Sequence, residues 1–386
     1  MNRSGYRTRW LGVIAAGLLS LAVGHVGNGA PVVAKPQATP SAPSSSAPSK
    51  QMPGFIRDWY GFSKLPYDGA GQTVAIVGTG DYLAAGSDLA VFINSYGTGS
   101  MHGLAGNDPC TVTAGPHPCF ERVKAPAVST QYPDLYWSGG THYHIEAASD
   151  VQWAHVVAPG ADILFVDAAT PTPDDVMGAI DVAVAQGSSV VSISLGWEQT
   201  ADDAARETHF TNHPGVVFVA ASGDNDYGGN QLYPAASPNV LAVGGTTLKM
   251  VGTKWAESAW GRFTDTTNHT GPIGSTGGLS RFDAIPAYQQ GFHTGTNRGV
   301  PDVAYAADWV GFPTYVLGQY YTLGGTSVGA PQWAALVALA NQARSGSGQP
   351  PLTGVAPFYE AAQTETYTGN YRDIVDGMGA CMNQSC

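Results

Sequence analysis

The chain has 386 residues, of which 43% are hydrophobic and 12% are charged, so it is long enough to bury a large core. Its 50 glycines and 26 prolines are spread along the chain, which excludes a low-complexity protein. The net charge of -12 and the lack of a basic cluster argue against nucleic acid and anionic membranes as partners.

The N-terminus, residues 1–34, has the pattern of a secretory signal peptide. Three arginines among the first nine residues precede an apolar run at 10–23 that is too short for a comfortable membrane span. Cleavage after Ala34 suits the sequence better than cleavage after Ala30, which would leave a proline at the new N-terminus. No later stretch is apolar and long enough to span a bilayer, so we expect an exported chain without a membrane span.

A linker and one domain are expected to follow. Residues 35–51 are rich in Pro, Ser and Ala, which predicts a disordered, extended linker, and the folded domain is expected to occupy 52–386. Four cysteines suit an oxidising compartment and could pair in three ways. Closeness in sequence favours Cys110–Cys119 and Cys381–Cys386, and free thiols are the alternative.

From residue 73 onward, short apolar runs alternate with helix-periodic segments. Strands are predicted at 73–77, 162–166, 189–194, 216–221 and 240–243, and helices at 55–60, 87–96, 143–157, 174–185, 201–212 and 333–340. Residues 97–140 are predicted to form mostly loops. This alternation predicts an α/β fold with a mostly parallel central sheet and helices on both faces. Ligands in such folds bind at the carboxyl ends of the strands.

One serine, Ser327, is a candidate nucleophile. It follows Gly324 and Gly325 and precedes an apolar helical run. Glycines let a ligand approach the backbone closely, and a helix N-terminus favours a developing negative charge. Pro331 suits the first turn of that helix. The alternative interpretation is an ordinary N-cap serine on a buried helix.

Two acidic residues, Glu146 and Asp150, are four positions apart and share one face of a predicted helix. Their neighbours Ile145, Ala147 and Val151 are apolar, which is unusual for a solvated face. Two carboxyl groups held close in an apolar site have pKa values that are pushed apart, so one becomes a usable base. A solvated acidic face is the alternative.

Two further candidates follow predicted strands, where a site is expected. Asp224 comes after the strand at 216–221, and Ser194, Leu195 and Gly196 end the strand at 189–194. An Asx turn is the alternative for Asp224, and an exposed edge with a turn is the alternative for the other segment.

These motifs together resemble the sedolisins, the serine-carboxyl peptidases of the subtilisin-like clan. The resemblance runs from about Met52 to the C-terminus and rests on motifs that occur in the expected order: Glu146-x-x-x-Asp150, Ser194-Leu195-Gly196, Ser222-Gly223-Asp224, Gly325-Thr326-Ser327, and the supporting Tyr233-Pro234-Ala235 and Arg298-Gly299-Val300-Pro301-Asp302. It implies a subtilisin-like α/β fold.

The resemblance also implies a role for each catalytic candidate. Ser327 would be the nucleophile, Glu146 the general base, and Asp150 the group that orients it. Asp224 would donate a proton-bearing oxygen to the oxyanion. A carboxylate remains ionised in acid, where histidine is protonated, and an aspartic acid donates only when protonated. The combination predicts an optimum at about pH 3–5.

The expected function is therefore that of a secreted, acid-acting endopeptidase that is a monomer and cleaves proteins or peptides. Ser194, Leu195 and Gly196 would pair with the substrate backbone, as an added β-strand does. Side-chain specificity stays open at this point, as does the choice between endopeptidase and tripeptidyl-peptidase action.

Two departures from the family pattern are visible. No long prodomain is recognisable between the signal and the domain, and the C-terminus looks shortened. The family binds Ca²⁺ near its C-terminus, and Asp373 with Ile374 matches the first part of that site, whereas the second part has no match. The chemistry itself requires no cofactor.

Rival interpretations remain. A subtilisin-type protease would need an aspartate after the first strand, where this chain has Gly78-Thr79-Gly80. An esterase elbow at Ser327 would need a later histidine, and none follows in the sequence. His142 and His144 do not form a metalloprotease motif and are expected to line the site or its preceding loop, or to be surface residues. The last rival is an exported binding protein on an inactive peptidase scaffold.

Overall fold

The computed structural model describes residues 52–104, 110–128, 140–225, 231–262, 273–308, 311–363, 369 and 371–374, together with the backbone of the short segments 11–13, 21–22 and 35–36. In this part of the chain the helices are α1 Met52–Trp59, α2 Ala85–Tyr96, α3 Gly140–Val157, α4 Pro173–Ala185, α5 Thr208–Thr211, α6 Gly329–Gly346 and α7 Ala356–Gln363, with 3-10 turns at Phe62–Lys64, Ala201–Glu207 and Ala287–Gln289.

The strands of the described residues, in chain order, are β1 Leu11–Val13, β2 Leu21–Ala22, β3 Lys35–Pro36, β4 Thr73–Thr79, β5 Phe120–Lys124, β6 Asp162–Ala168, β7 Val190–Ile193, β8 Trp197–Glu198, β9 Val217–Ala221, β10 Leu232–Tyr233, β11 Val240–Val251, β12 Lys254–Ala259, β13 Gly261–Arg262, β14 Ile273–Gly274, β15 Gly278–Ala284, β16 Asn297–Val300, β17 Val303–Asp308, β18 Phe312–Val316, β19 Gln319–Leu323 and β20 Tyr371–Asp373.

A mostly parallel sheet forms the centre of the fold, as the sequence predicts. Its parallel strands run in the order β17-β11-β9-β7-β4-β6-β5. β12 adds an antiparallel hairpin to β11, and β1 and β20 lie outside β17. Because side chains alternate along a strand, Val74 and Ile76 of β4 pack with α2, α3 and α6, whereas Ala75 and Val77 pack with α4. Helices therefore cover both faces of the sheet.

Most predicted elements are confirmed within a few residues, and three differ. The helix predicted at 201–212 is a 3-10 turn followed by the single turn α5. The strand predicted at 240–243 continues to Val251 and folds back as β12. The loop predicted at 97–140 contains β5, because Phe120–Lys124 can pair with the edge of β6. Residues 105–109 and 129–139 of that loop lie outside the described residues.

The predicted disulfide Cys110–Cys119 is confirmed. Cys381 and Cys386 lie outside the described residues, and so do the predicted signal peptide and linker except for β1, β2 and β3. Across the part of the chain that the structure covers, no helix has the length and apolar character required to cross a membrane. The division of the chain into signal peptide, linker and domain stays a prediction.

A fully buried ion pair joins two segments beside β11. Arg298 donates to both carboxylate oxygens of Asp302, from Nη1 and Nη2 at 2.6 Å each, and neither side chain is exposed. The Tyr359 hydroxyl and the Ala242 N–H donate to the same carboxylate at 2.5 and 2.7 Å. These bonds connect β16, the residue before β17, β11 and α7, so the pair holds these elements together.

Replacing Asp302 by Asn is expected to lower the free energy of unfolding by about 3–5 kcal/mol, because it leaves the buried Arg298 guanidinium without a counter-charge. Asp174→Asn, which removes the exposed partner of Arg206, is the matched control and is expected to cost at most about 1 kcal/mol. Denaturant unfolding measures both. Equal losses in the two variants would contradict this account of the pair.

Candidate active site

Two neighbouring strands end at the predicted site. β7 and β9 pair in parallel with Ile193 opposite Ala220, so the residues after them meet at one edge of the sheet. The structure brings both of these segments to Ser327. The Ser194 hydroxyl donates to the Ser327 carbonyl at 2.8 Å, and the Asp224 carboxylate accepts from the Thr326 N–H at 2.9 Å.

Thr326 ties the serine turn to the loop that carries Asp224. Its hydroxyl also donates to Asp224 Oδ1, at 2.5 Å, and accepts from the Gly223 N–H at 3.0 Å. The turn depends on Gly325, whose φ of 119° is a conformation that L side chains rarely adopt. Sequence reasoning assigned no role to Thr326, although its place before Ser327 in the motif was a signal that could have been followed.

The N-cap interpretation of Ser327 is not what the structure shows. α6 begins at Gly329, and its N-cap residue is Val328, without a side-chain cap. Ser327 therefore lies in the turn before the helix and is buried, with 1% of its surface exposed. Its position beside the helix N-terminus still suits a group on which negative charge develops.

The acidic pair on α3 is buried, so the alternative of a solvated acidic face is wrong. Glu146 is 3% exposed and Asp150 is 1% exposed, one helical turn apart. Both carboxylate oxygens of Glu146 and Oδ1 of Asp150 have no hydrogen-bond partner among the described residues. An ionised carboxylate is costly in such a place.

Burial is the largest cause of the raised pKa of Glu146, and the charges of Asp150 and Asp224 raise it further. The hydroxyl of Ser327 acts in the opposite direction and lowers this pKa, which places it next to the Glu146 carboxyl, although no atom pair between the two has full hydrogen-bond geometry. Burial also raises the pKa of Asp150, and Ser194 lowers it. The two carboxyl groups therefore behave as a coupled pair that does not ionise fully in acid.

The helix that carries the pair is fixed towards both ends. Near its C-terminus, the Gln152 amide bonds the backbone N–H and C=O of Tyr315 at 2.9 and 2.7 Å, and the Trp153 indole donates to the Pro313 carbonyl at 3.1 Å. Both acceptors belong to the hairpin β18–β19, which leads directly into the Ser327 turn. The hairpin thus sets the distance between α3 and the serine.

Near the N-terminus of α3, the two histidines differ. His144 lies 2.8 Å, through Nε2, from the Gly80 carbonyl after β4 and stacks on Tyr82 with ring centroids 4.9 Å apart. His142 is exposed. The structure therefore joins His144 to the turn beside the site, whereas His142 is a surface residue.

The side chains of Ser194 and Leu195 are buried inside the protein. The Ser194 hydroxyl points to Ser327, Leu195 is buried, and a Cβ on Gly196 would lie 3.1 Å from the Tyr233 carbonyl. Its backbone is the part that could pair with a peptide, and that role stays a prediction.

The predicted calcium ligands lie at the end of the described chain. Asp373 ends β20 with a buried Oδ1 that has no hydrogen-bond partner in the described part, and Ile374 is buried beside it. Among the described residues no group of three or more His, Cys, Asp or Glu side chains could hold a metal ion. One carboxylate and one carbonyl are fewer than the six to eight oxygens that Ca²⁺ takes, so the described residues do not form a complete site.

Comparisons with known proteins all find subtilisin-like or sedolisin peptidases. Residues 139–359, more than half of the chain, match the model described as the subtilase family. Kumamolisin from Bacillus sp. (strain MN-32) is 37% identical over 225 residues, which cover 51% of this chain and 39% of that protein. Sedolisin from Pseudomonas sp. (strain 101) is 33% identical over 199 residues, which cover 45% of this chain and 33% of that protein.

A solved structure, Pseudomonas sedolisin complexed with two molecules of pseudo-iodotyrostatin, resembles the fold with a TM-score of 0.61 at 25% identity, covering 78% of this chain and 82% of that one. The chain spans less than half of the length of the curated relatives that it matches.

The raised pKa values of Glu146 and Asp150 predict a stability that falls with rising pH. Both folded-state values lie above the unfolded values of about 4, so the pair stabilises the fold fully below that pH and loses this contribution as pH rises through the folded-state values. In a Ser327→Ala background, the melting temperature should fall between pH 4 and 8.

The matched control for this experiment is Glu146→Gln with Asp150→Asn in the same background, which should reduce that fall. Other titrating groups, including the buried His155, are common to both proteins and cancel in the difference. Calorimetry measures the two curves. If the melting temperatures of the two proteins fell equally between pH 4 and 8, the prediction would be contradicted.

Proposed function

The chain belongs to the subtilase family and, within it, to the sedolisins, and on this premise we propose that it is a serine-type peptidase that hydrolyses peptide bonds in acid. The observation that carries the proposal is that Ser194 and Asp224, from two strand ends, bond the turn that carries the buried Ser327, while the Ser327 hydroxyl acts on the buried Glu146 carboxyl of α3.

The proposed reaction is acyl transfer through Ser327. Its hydroxyl attacks the carbonyl carbon of the scissile bond while Glu146 takes the hydroxyl proton. Glu146 then gives that proton to the leaving amine, and a water molecule hydrolyses the acyl-enzyme by the same steps in reverse. Asp150 orients Glu146 and shares the single proton of the pair. Because burial raises the pKa of Glu146, it can act as the base only in the form of the pair in which Asp150 holds the proton.

Asp224 is proposed to stabilise the tetrahedral intermediate. Its Oδ1 already accepts two bonds from Thr326, which holds the carboxyl group beside the serine turn. A proton on Oδ2 would then be donated to the oxyanion, and preorganised donors of this kind supply a large part of the catalysis in acyl transfer. A carboxyl donor requires the protonated form, so this role also favours acid.

The turn after β4 disfavours a subtilisin-type mechanism. At Gly78, the last residue but one of β4, a Cβ would lie 2.6 Å from the Phe165 ring, which leaves no room for an aspartate there. Asp81, the next carboxylate along the chain, pairs with Arg122 and Lys124 at 2.6 and 3.0 Å. An Asp-His-Ser triad therefore lacks its aspartate at that strand end.

The substrates proposed are proteins or peptides in extended conformation, paired with the backbone of 194–196. Export is proposed from the signal-like N-terminus, and the disulfide Cys110–Cys119 suits an oxidising compartment. Asp373 and Ile374 would contribute to a calcium site completed by other groups, and the proposed chemistry takes no step through that ion.

Cleavage of denatured casein tests the proposal. The parent protein should cleave at pH 4 and much less at pH 7.5, and Ser327→Ala should be inactive at both. Glu146→Gln should lose about 10²–10⁴-fold in kcat, because an amide cannot take the proton. Glu360→Gln, the same change at an exposed position of α7, is the matched control and should cleave as the parent does.

Three outcomes would contradict the proposal. Activity mainly at pH 7.5, or full activity in Glu146→Gln, would point to another base, of which His144 is the nearest along α3. A folded parent that cleaves at neither pH would favour an inactive scaffold that binds its ligand.

A further inference from the structure

The residue before the nucleophile, Thr326, donates twice to a single oxygen of Asp224. Its N–H lies 2.9 Å from Asp224 Oδ1, and its hydroxyl lies 2.5 Å from the same atom. Both side chains are fully buried. A carboxyl oxygen has two lone pairs, so these two donors take up the acceptor capacity of Oδ1.

The direction of the Thr326 hydroxyl is set by a neighbouring backbone group. The Gly223 N–H donates to Thr326 Oγ1 at 3.0 Å, and an N–H can only donate. The hydroxyl hydrogen therefore points away from Gly223, and among the described residues it is donated to Asp224 Oδ1. Donation thus runs in one direction, from Gly223 to Thr326 and from Thr326 to Asp224.

An acid proton on Asp224 is restricted by this arrangement. On Oδ1 it would face the two Thr326 hydrogens, so it belongs on Oδ2. We propose that Thr326 fixes the acid proton of Asp224 on Oδ2 for donation to the oxyanion, which makes Thr326 a positioning residue for that donor. The inference rests on the proposed function, in which Asp224 is the oxyanion donor.

The backbone of the loop that carries Asp224 has other partners besides Thr326. The Gly274 N–H donates to the Asp224 carbonyl at 3.0 Å, and the Thr276 N–H donates to the Gly223 carbonyl at 2.8 Å. These bonds remain when the Thr326 hydroxyl is removed. Its removal should therefore change the state of the carboxyl group more than the position of the loop.

The loss of this hydroxyl has two opposite consequences for catalysis. Hydrogen bonds to a carboxyl oxygen favour the ionised form over the acid, so Asp224 should keep its proton to a higher pH without the hydroxyl. That proton is no longer confined to Oδ2, so it is donated to the oxyanion less effectively. A lower rate with an alkaline limb at higher pH is the expected result, whereas a merely loosened site would lower the rate without that upward shift.

Infrared spectroscopy can follow this proton without turnover. The full chain carrying Ser327→Ala is titrated between about pH 3 and 8, a range that includes the ordinary carboxyl values near 4. A carboxylic acid band that disappears in Asp224→Asn belongs to Asp224. We expect this band in acid, at the low frequency of a strongly hydrogen-bonded C=O, because Oδ1 is then the carbonyl oxygen and accepts twice.

Adding Thr326→Val should raise the frequency of that band and move its loss about one to two pH units higher, because Oδ1 loses one donor. Thr326→Ala removes the same hydroxyl and should give both shifts. Thr326→Ser keeps the hydroxyl and should titrate as the starting protein does. The matched control is Thr314→Val, which removes a buried hydroxyl of β18 that has no partner among the described residues and should leave the band in place.

Kinetics give an independent reading of the same role. With Ser327 restored, Thr326→Val should lower kcat about 10-fold with little change in KM, less than the 10²–10³-fold loss expected for removing an oxyanion donor. The alkaline limb of kcat should move to higher pH. In Asp224→Asn, which has no acid proton to place, adding Thr326→Val should lower kcat without moving any limb.

The proposal is overturned if the band of Asp224 keeps its frequency and its titration in both Thr326→Val and Thr326→Ala. It is equally overturned if that band is lost at lower pH in these variants, or if the Ser327→Ala protein has no band of Asp224 in acid. Because the infrared titration needs no turnover, a parent that titrates as expected and cleaves nothing would refute the proposed function and support the placement of the proton.

Discussion

Two carboxyl groups buried one helical turn apart are the constraint on which the rest of this site depends. Removing a carboxylate from water costs several kcal/mol, and a second one beside it costs more. The folded state can keep both groups buried only if they share a proton and the surrounding elements hold them in place. Bonds from α3 to the hairpin β18–β19 and to the turn after β4 provide that rigidity.

Burial on α3 has two opposite effects on the stability of the folded state in acid. The acidic pair stabilises the folded state at low pH, whereas His155, buried on the same helix, has a pKa lowered to about 4 by burial first and by Arg57. A lowered histidine pKa contributes stability above the unfolded value of about 6.5 and loses it as pH falls through the folded value. The two effects oppose each other within the pH range proposed for activity.

Much of the architecture could be predicted from periodicity, because buried parallel strands read as short apolar runs followed by turns. The strand ends then located Ser194 and Asp224, and the apolar neighbours of Glu146 indicated that its helix face is buried. β5 escaped prediction because its pairing partner, β6, follows only after α3 in the sequence. The hairpins β11–β12 and β18–β19 escaped it because their residues are mixed in polarity. The direction of the Ser194 side chain depends on packing that no local sequence pattern shows. The same is true of the two hydrogen bonds that Thr326 donates to Asp224.

The central claim is that Ser327 becomes acylated in acid with Glu146 as its base. The most direct measurement is mass spectrometry of the protein quenched during cleavage of an activated peptide ester at pH 4. The account predicts an added acyl mass on the fragment that contains Ser327, and little of it within the same time in Glu146→Gln. An acyl group on another residue, or equal acylation in Glu146→Gln, would contradict it.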